Sequence, residues 1–403
     1  MSTKSIVFQN PTLRLIGAAL LLLGIHNASV YPYQSLIAIE RIGLSKPAFS
    51  AMLVMASVSA VSASVLFGIW GDQRNNRRLV ALLATASSAT GLTLMLAFPS
   101  QISLLLCHGI LLPIATSLYG QLFTLARLAG PEDPAQRDRI QGFLRSAMSL
   151  SFLAVLLFWT FVFGAGADVM AVYFSAGAAS YGLLLLIYLS WPKDGTTSWK
   201  DEPSGLKIHQ AFAEIARPQV LLRLLLMGAI SASGVLYMVL ISLIFDASPV
   251  RSTSDVALYV GMVAGWEVPC LILLPRLTAR MRRTTLLAAG SVLYSVQLIA
   301  LPLLCDSPLI WGMTLLAGVG GAAIIAVPIG YYQDLLRDRP GVAGSMLALQ
   351  KLVSDALGAG AFAIGTAWGG YEAVALIGVT LALAGAAVLH LADRPVPQTV
   401  AGA

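Results

Sequence analysis

Twelve runs of about twenty predominantly apolar residues recur along this chain, near 15–38, 47–70, 79–97, 102–126, 141–164, 169–191, 219–245, 255–275, 285–305, 308–331, 342–367 and 371–391. A helix needs about 20 such residues to cross a bilayer core about 30 Å thick. Backbone polar groups cannot be left bare in hydrocarbon, so each run is expected to be a helix. Only 11% of the 403 residues are charged and 57% are hydrophobic. Soluble domains carry roughly 25% charged residues, so the chain has too little polar surface to stay dispersed in water. The pattern predicts an all-α membrane protein with twelve transmembrane helices. The first run begins with basic residues, as a signal peptide does. It is too long for a signal h-region and lacks an A-x-A site before its end, so a retained first span is expected. Many spans are rich in glycine and alanine, which suits close helix approach in lipid, and Ser57, Ser59, Ser62 and Ser64 of span two suit the same packing role.

The charge distribution supports the span count independently. Of the 25 Lys and Arg, Arg41, Lys46 and Arg251 fall in odd-numbered loops and Lys351 falls within a span. The other 21 lie in the termini, in the even-numbered loops or at the helix ends beside them. Positive charge marks the cytoplasmic side, so both termini are expected there, in a multi-pass protein of the bacterial inner membrane. The net charge of +6 therefore belongs to topology, and no nucleic-acid partner is expected. A polar stretch rich in Pro, Gly and charge, "WPKDGTTSWKDEPSGLKIHQAFAEIARPQ" (191–219), divides six spans from six. The expected organisation is an N-terminal half over 1–191, a cytoplasmic linker over 192–218 and a C-terminal half over 219–403. The halves echo one another: "GDQRNNRRL" (71–79) follows span two, "RLTARMRRTTL" (276–286) follows span eight, and Arg145 and Lys351 sit at similar places in spans five and eleven. Two pseudo-symmetric six-helix halves in parallel repeat are the plan of an alternating-access transporter.

Enzymatic chemistry finds no support. There is no P-loop, no HExxH, no nucleophile elbow and no paired metal ligands. Cys107, Cys270 and Cys305 lie far apart in apolar runs and show neither metal-ligand nor disulfide spacing. No cofactor is expected, and energy must come from an ion or substrate gradient, with protons the suspected ion.

The charges inside the spans are the candidates for function. A charge at the centre of a spanning helix costs about 2.5–3.5 kcal/mol on insertion scales. Lys351 and Asp355 are four residues apart in span eleven, so they share a helix face and can bridge one another. That pair reads either as a structural pin or as a contact to cargo or gate. Glu267 in span eight has no opposite charge within its own helix; it reads either as a carrier of protons or substrate, or as half of a static pair with Arg145 of span five. Span one carries "GIHNASVYPYQS", with His26, Asn27, Tyr31 and Gln34 as polar and aromatic candidates, although Pro32 breaks the helical ladder there and part of this polarity can serve the freed backbone. His108 in span four is a further candidate, though lone histidines are commonly structural. Tyr119 and Gln121 in span four continue the theme, as do Tyr331, Tyr332 and Gln333 at the end of span ten.

Several stretches resemble the major facilitator superfamily and, within it, the bacterial sugar efflux transporters, over most of the chain. "GIWGDQRNNRRL" (68–79), with Asp72 and the basic pair Arg77 and Arg78, is similar to the superfamily loop between spans two and three. "GQLFTLAR" (120–127), "GWEVPCLIL" (265–273) and "YYQDLLRDRPGVAGS" (331–345) resemble the family's "PQLFALAR", "GLEIP" and "WFQDLMPGRAG" patterns, and "YPYQSLIAIERIGLS" (31–45) resembles the end of its first span. Gly120 stands where the family often has proline, "LLFWTFVFGAG" (156–166) replaces a glycine–proline antiporter signature, and Leu240 occupies an expected acidic position. The resemblance implies a cavity lined by spans one, four, seven and ten, which would place His26, Asn27, Tyr31, Gln34, His108 and Tyr119 at a substrate. It also implies packing of span five on span eight, which would bring Arg145 and Glu267 together, and a latch in which Asp72, with Arg77 and Arg78, meets the start of span eleven.

The resulting expectation is a secondary transporter, not an enzyme, that exports sugars or small glycosides by proton antiport and works as a monomer among membrane lipids. Drugs, siderophores or other amphipathic metabolites are the alternative cargo, and a non-transporting membrane sensor or scaffold is the alternative class, for which no sizeable soluble domain is present. The topology is directly testable. Cysteines introduced at Lys200 and Ser252 should label from opposite faces of intact cells, and labelling of both from outside would refute the assignment of sides.

Overall fold

In the computed structural model, which describes residues 3–74, 77–131, 133–192, 217–335 and 340–393, helix accounts for nearly every element and no strand occurs among the described residues. Twelve helices are long and apolar enough to cross a membrane: Pro11–Arg41, Lys46–Gly68, Arg77–Ala97, Gln101–Ala129, Arg139–Gly164, Val169–Ser190, Pro218–Asp246, Thr253–Leu274, Arg283–Leu304, Ile310–Leu335, Met346–Trp368 and Gly370–Ala392. They coincide with the twelve apolar runs, six before the polar stretch and six after it. The expected linker lies almost wholly outside the described residues.

Among the described residues, span six opens with a short 3-10 turn over Val169–Ala171, and two spans depart from regular α-helix in their interior, both containing proline. In span one, α-helix over Pro11–Val30 passes into a 3-10 turn over Tyr31–Tyr33 and then, after Leu36, into π-helix over Ile37–Arg41. Pro32 has no N–H to donate and cannot continue the ladder. The chain tightens there and widens afterwards, so that the Ile42 N–H donates to the Ile37 carbonyl at 2.9 Å. In span four, π-helix over Cys107–Leu111 precedes Pro113. Two hydroxyls then serve the disturbed turn, with Thr116 Oγ1 donating to the Pro113 carbonyl and Ser117 Oγ to the Ile114 carbonyl, each at 2.7 Å. Single π-turns of this kind occur often at functional sites.

The described helices form two compact units. The first comprises Met1–Lys207 and Met238–Ala264; the second comprises Ile208–Tyr237 and Gly265–Ala403. The hairpin joining spans seven and eight thus packs with spans one to six. Its anchors are hydrogen bonds from Ser35 Oγ to the Val239 carbonyl at 2.6 Å and from Ser254 Oγ to the Thr160 carbonyl at 2.7 Å, with the Ser35 and Ser242 hydroxyls 2.9 Å apart.

Within each unit, small residues set the closest approaches. In the first, Gly24 of span one lies against the Met148 carbonyl and Ser151 of span five, where any side chain would collide with backbone. In the second, spans nine and ten cross at Gly290 and Gly320: a Cβ on Gly320 would fall 2.6 Å from the Gly290 carbonyl oxygen and 2.9 Å from the Tyr294 nitrogen. Lipid supplies no hydrophobic drive between helices, so such contacts carry much of the packing energy. Gly320→Val should separate spans nine and ten and cost about 1–3 kcal/mol through overpacking. Gly234→Ala, whose new methyl would find its nearest neighbour, Tyr294 Oη, at 3.9 Å, should be tolerated. Thermal unfolding of the two purified variants in detergent checks the contrast, and equal loss in both would refute this account of the crossing.

Candidate functional site

The polar run of span one divides by helical periodicity into two faces. His26 and Ser29 are buried and turn toward spans five and six. His26 Nδ1 lies 3.1 Å from Ser180 Oγ, which is 2.8 Å from Ser88 Oγ of span three, and the same imidazole bonds the backbone of Ala176. Ser29 Oγ lies 3.0 Å from Ser175 Oγ and accepts from Trp159 Nε1 at 3.2 Å. Asn27, Tyr31 and Gln34 follow one another at spacings of four and three residues on the other face, where Asn27 and Gln34 are half-buried and Tyr31 is exposed. His108 is also buried. Its Nε2 lies 2.7 Å from the Tyr173 hydroxyl, and the two rings meet edge to face. Both expected substrate histidines thus have hydrogen-bond partners from span six, inside the packing of their own unit. Composition alone does not separate His26 from Asn27; the one-residue difference in helical phase does.

Span four presents a mixed face. Tyr119 is 38% exposed, and its ring centroid lies 4.7 Å from that of Phe123. The guanidinium of Arg145, from span five, sits over Phe123 with Cζ 5.1 Å from the ring centroid. Gln121 is buried and accepts from Arg77 Nη1 at 3.2 Å. The neighbouring Arg78 donates to the Tyr188 carbonyl at 2.7 Å near the end of span six, where a helix C-terminus favours cations. The two basic residues of the expected latch therefore tie the start of span three to spans four and six. Asp72 belongs to the helix Lys46–Arg74, and its side chain lies outside the described residues.

In the second unit, Glu267 of span eight is half-buried and points at span ten. A Cβ built on Gly321 would lie 2.8 Å from Glu267 Oε1 and 3.3 Å from the Tyr294 ring. The missing side chain at Gly321 is what gives the carboxylate room. Among the described residues of its own unit, no hydrogen bond or ion pair joins Glu267. Lys351 and Asp355 do form the bridge expected from their spacing, with Nζ 2.7 Å from Oδ2. The lysine side chain is 67% exposed and the aspartate 12%, so the ammonium reaches out while its partner stays in. Gln350, the residue before Lys351, donates through Nε2 to Ser231 Oγ of span seven at 2.6 Å.

One cluster escaped the sequence reading. Asp393, just past span twelve, accepts from Arg223 Nη2 at 2.6 Å and Nε at 3.0 Å and from the Tyr331 hydroxyl at 2.6 Å, while Arg282 donates to its carbonyl. Arg283 and Asp334 pair beside it at 2.8 Å. These groups tie span seven, the start of span nine and the ends of spans ten and twelve together. Their partners are up to 170 residues apart in sequence, so no local spacing announces them. The one available signal was the placement of opposite charges at helix ends on a single side of the membrane.

Among the described residues no cluster of His, Cys, Asp and Glu could hold a metal. What the arrangement offers is polar and aromatic surface and a few isolated charges inside helices, which suits binding and passage of a solute. A family model described as the Major Facilitator Superfamily matches residues 15–363. A Deinococcus radiodurans protein named "Putative sugar efflux transporter" is 25% identical over 395 residues, covering 93% of this chain and 96% of that protein. Among solved structures, the nucleoside transporter NupG aligns with a TM-score of 0.73 at 15% identity, over 96% of this chain and 100% of that one. A peptide transporter POT in complex with sulfate also aligns with a TM-score of 0.73, at 11% identity over 97% and 98% of the two chains. At those identities the structures speak for the fold alone.

The Lys351–Asp355 bridge gives a test within one helix. Lys351→Met removes the ammonium from the more buried carboxylate and, because solvent screens the exposed lysine, should cost about 1 kcal/mol or less. Lys351→Met combined with Asp355→Leu should recover most of that loss, because no charge is then left behind. Thermal melting of the single and double variants reads the difference; a double variant no more stable than the single would show that the pair is not self-neutralising.

Proposed function

Since the chain belongs to the Major Facilitator Superfamily, a family of transporters and not of enzymes, we propose that it exports sugars or small glycosides by alternating access, driven by inward proton movement. The working setting is the bacterial inner membrane, with both termini cytoplasmic. The cargo reading draws on the name of the Deinococcus relative, on the sequence motifs of the sugar efflux family and on the open polar face of span one. Asn27 and Gln34 carry amides that can bond sugar hydroxyls, and Tyr31 carries a ring that can lie on a sugar face.

The observation that carries proton coupling is Glu267, a carboxylate within a membrane span, seated against Gly321 with no counter-charge among the described residues of its own unit. A carboxyl group whose access to water alternates during transport changes its hold on a proton with each change. Asp355, by contrast, is bridged to Lys351. Glu267→Gln should therefore abolish pH-driven accumulation in inverted vesicles, by at least tenfold, while exchange of labelled sugar across the membrane continues. Accumulation that still follows the pH gradient in this variant would move the proton carrier elsewhere.

A further inference from the structure

We propose that the sugar cargo carries an oxyanion, a carboxylate or a phosphate, and that Arg145 receives it on a face built from spans four and five. This inference rests on the sugar-export reading above and narrows its substrate class.

Arg145 lies six residues into the span Arg139–Gly164, about 9 Å along the helix at 1.5 Å per residue. Its side chain is exposed, and no ion pair joins it among the described residues of its own unit. What holds the guanidinium is the Phe123 ring 5.1 Å beneath it. A cation–π contact orients the guanidinium and leaves its N–H donors unspent. The adjoining surface offers Tyr119, Gly120 and Thr124 from span four with Ser146 and Ser149 from span five, and neither span contains a carboxylate. A side chain built on Gly120 would meet open space. Thr124 Oγ1, Ser146 Oγ and Ser149 Oγ each donate to a carbonyl of their own helix, of Gly120, Phe143 and Arg145 respectively. Their oxygens remain acceptors, which suits the donor hydroxyls of a sugar. The Tyr119 ring, 38% exposed and set against Phe123, gives the sugar an aromatic surface. Acceptors, a ring and one uncompensated fork of donors match a saccharide with an acidic substituent. Intramembrane charges face an aqueous path and mark it, and the guanidinium fork fits a carboxylate or phosphate in bidentate fashion.

The test uses the full-length protein in detergent with three probes: methyl glucoside, methyl glucuronide and glucose 6-phosphate. Binding is measured by titration calorimetry for the parent, Arg145→Gln and Arg145→Lys. The parent should bind at least one acidic probe tenfold or more tighter than the glucoside, and the tighter of the two names the oxyanion. Arg145→Gln should erase that preference while glucoside affinity changes less than threefold; Arg145→Lys should keep part of it and serves if the glutamine variant does not fold. Equal affinity for all three probes in the parent overturns the inference and leaves sugar export standing. Binding of none of the three removes the sugar reading and this inference together. A preference that survives Arg145→Gln places the oxyanion receptor elsewhere. Recovery of the preference in Arg145→Gln combined with Glu267→Gln would show that the anion is held without the Arg145 guanidinium, which also overturns the proposal.

Discussion

An unmet backbone or side-chain polar group inside a bilayer has no water to turn to, and each costs several kcal/mol there. That constraint dictates helices for every span and explains the local irregularities as repairs. Pro32 and Pro113 each remove a donor and disturb the ladder around it. The chain answers with a 3-10 turn and a π-turn in span one, and with a π-turn and two hydroxyl bonds in span four. Elsewhere threonine and serine hydroxyls repeatedly bond carbonyls of their own helix, as Thr85 does to Ala81 and Thr93 to Ala89. Many hydroxyls of these spans are thus spent on their own helix, while Thr284, Ser291 and Ser295 of span nine and Tyr332 of span ten keep buried oxygens without a hydrogen bond among the described residues.

The same constraint sorts the charges. Lys351 and Asp355 answer each other within one turn. Arg223 and Asp393 answer each other across two helix ends, with Tyr331 completing the carboxylate's bonds. Arg78 is spent on the carbonyl of Tyr188. Such arrangements bring rigidity, and partial exposure keeps their worth modest: the Lys351 side chain is 67% exposed, so solvent screens much of the attraction. The bonds of Arg223 to Asp393 and of Arg78 to Tyr188 fix which helix ends stay together.

Span number, charge asymmetry and the Lys351–Asp355 bridge were legible in the sequence because each depends on local spacing or on summed composition. Facing was not. His26 and Asn27 are adjacent and equally polar, yet one lies against Ser180 and the other turns to the more open face. Hydrophobic periodicity, which reveals the inward face of a helix in water, fails here because lipid-facing and protein-facing positions are both apolar. The Asp393 cluster was hidden for a different reason, since its members meet only after span seven and span twelve have been brought together. Glu267 was visible as a buried charge, but its seat was not: nothing in "GVGGAA" says that Gly321 leaves space for a carboxylate from another helix.

The rule that intramembrane charges are answered makes its exceptions meaningful. Glu267 in one unit and Arg145 in the other are each left without an ionic partner among the described residues of their own unit. A pin would serve as well with its charge neutralised, as Lys351 and Asp355 are, or replaced by apolar side chains of similar volume. A transport site would not. A group that must bind and then release a proton or an anion cannot be satisfied permanently by a neighbour, because release would then have to break that bond as well. The uncompensated state is unfavourable in a static protein and necessary in one that cycles. On this argument, Glu267 and Arg145 are the residues to which the proposed transport cycle assigns the proton and the anion.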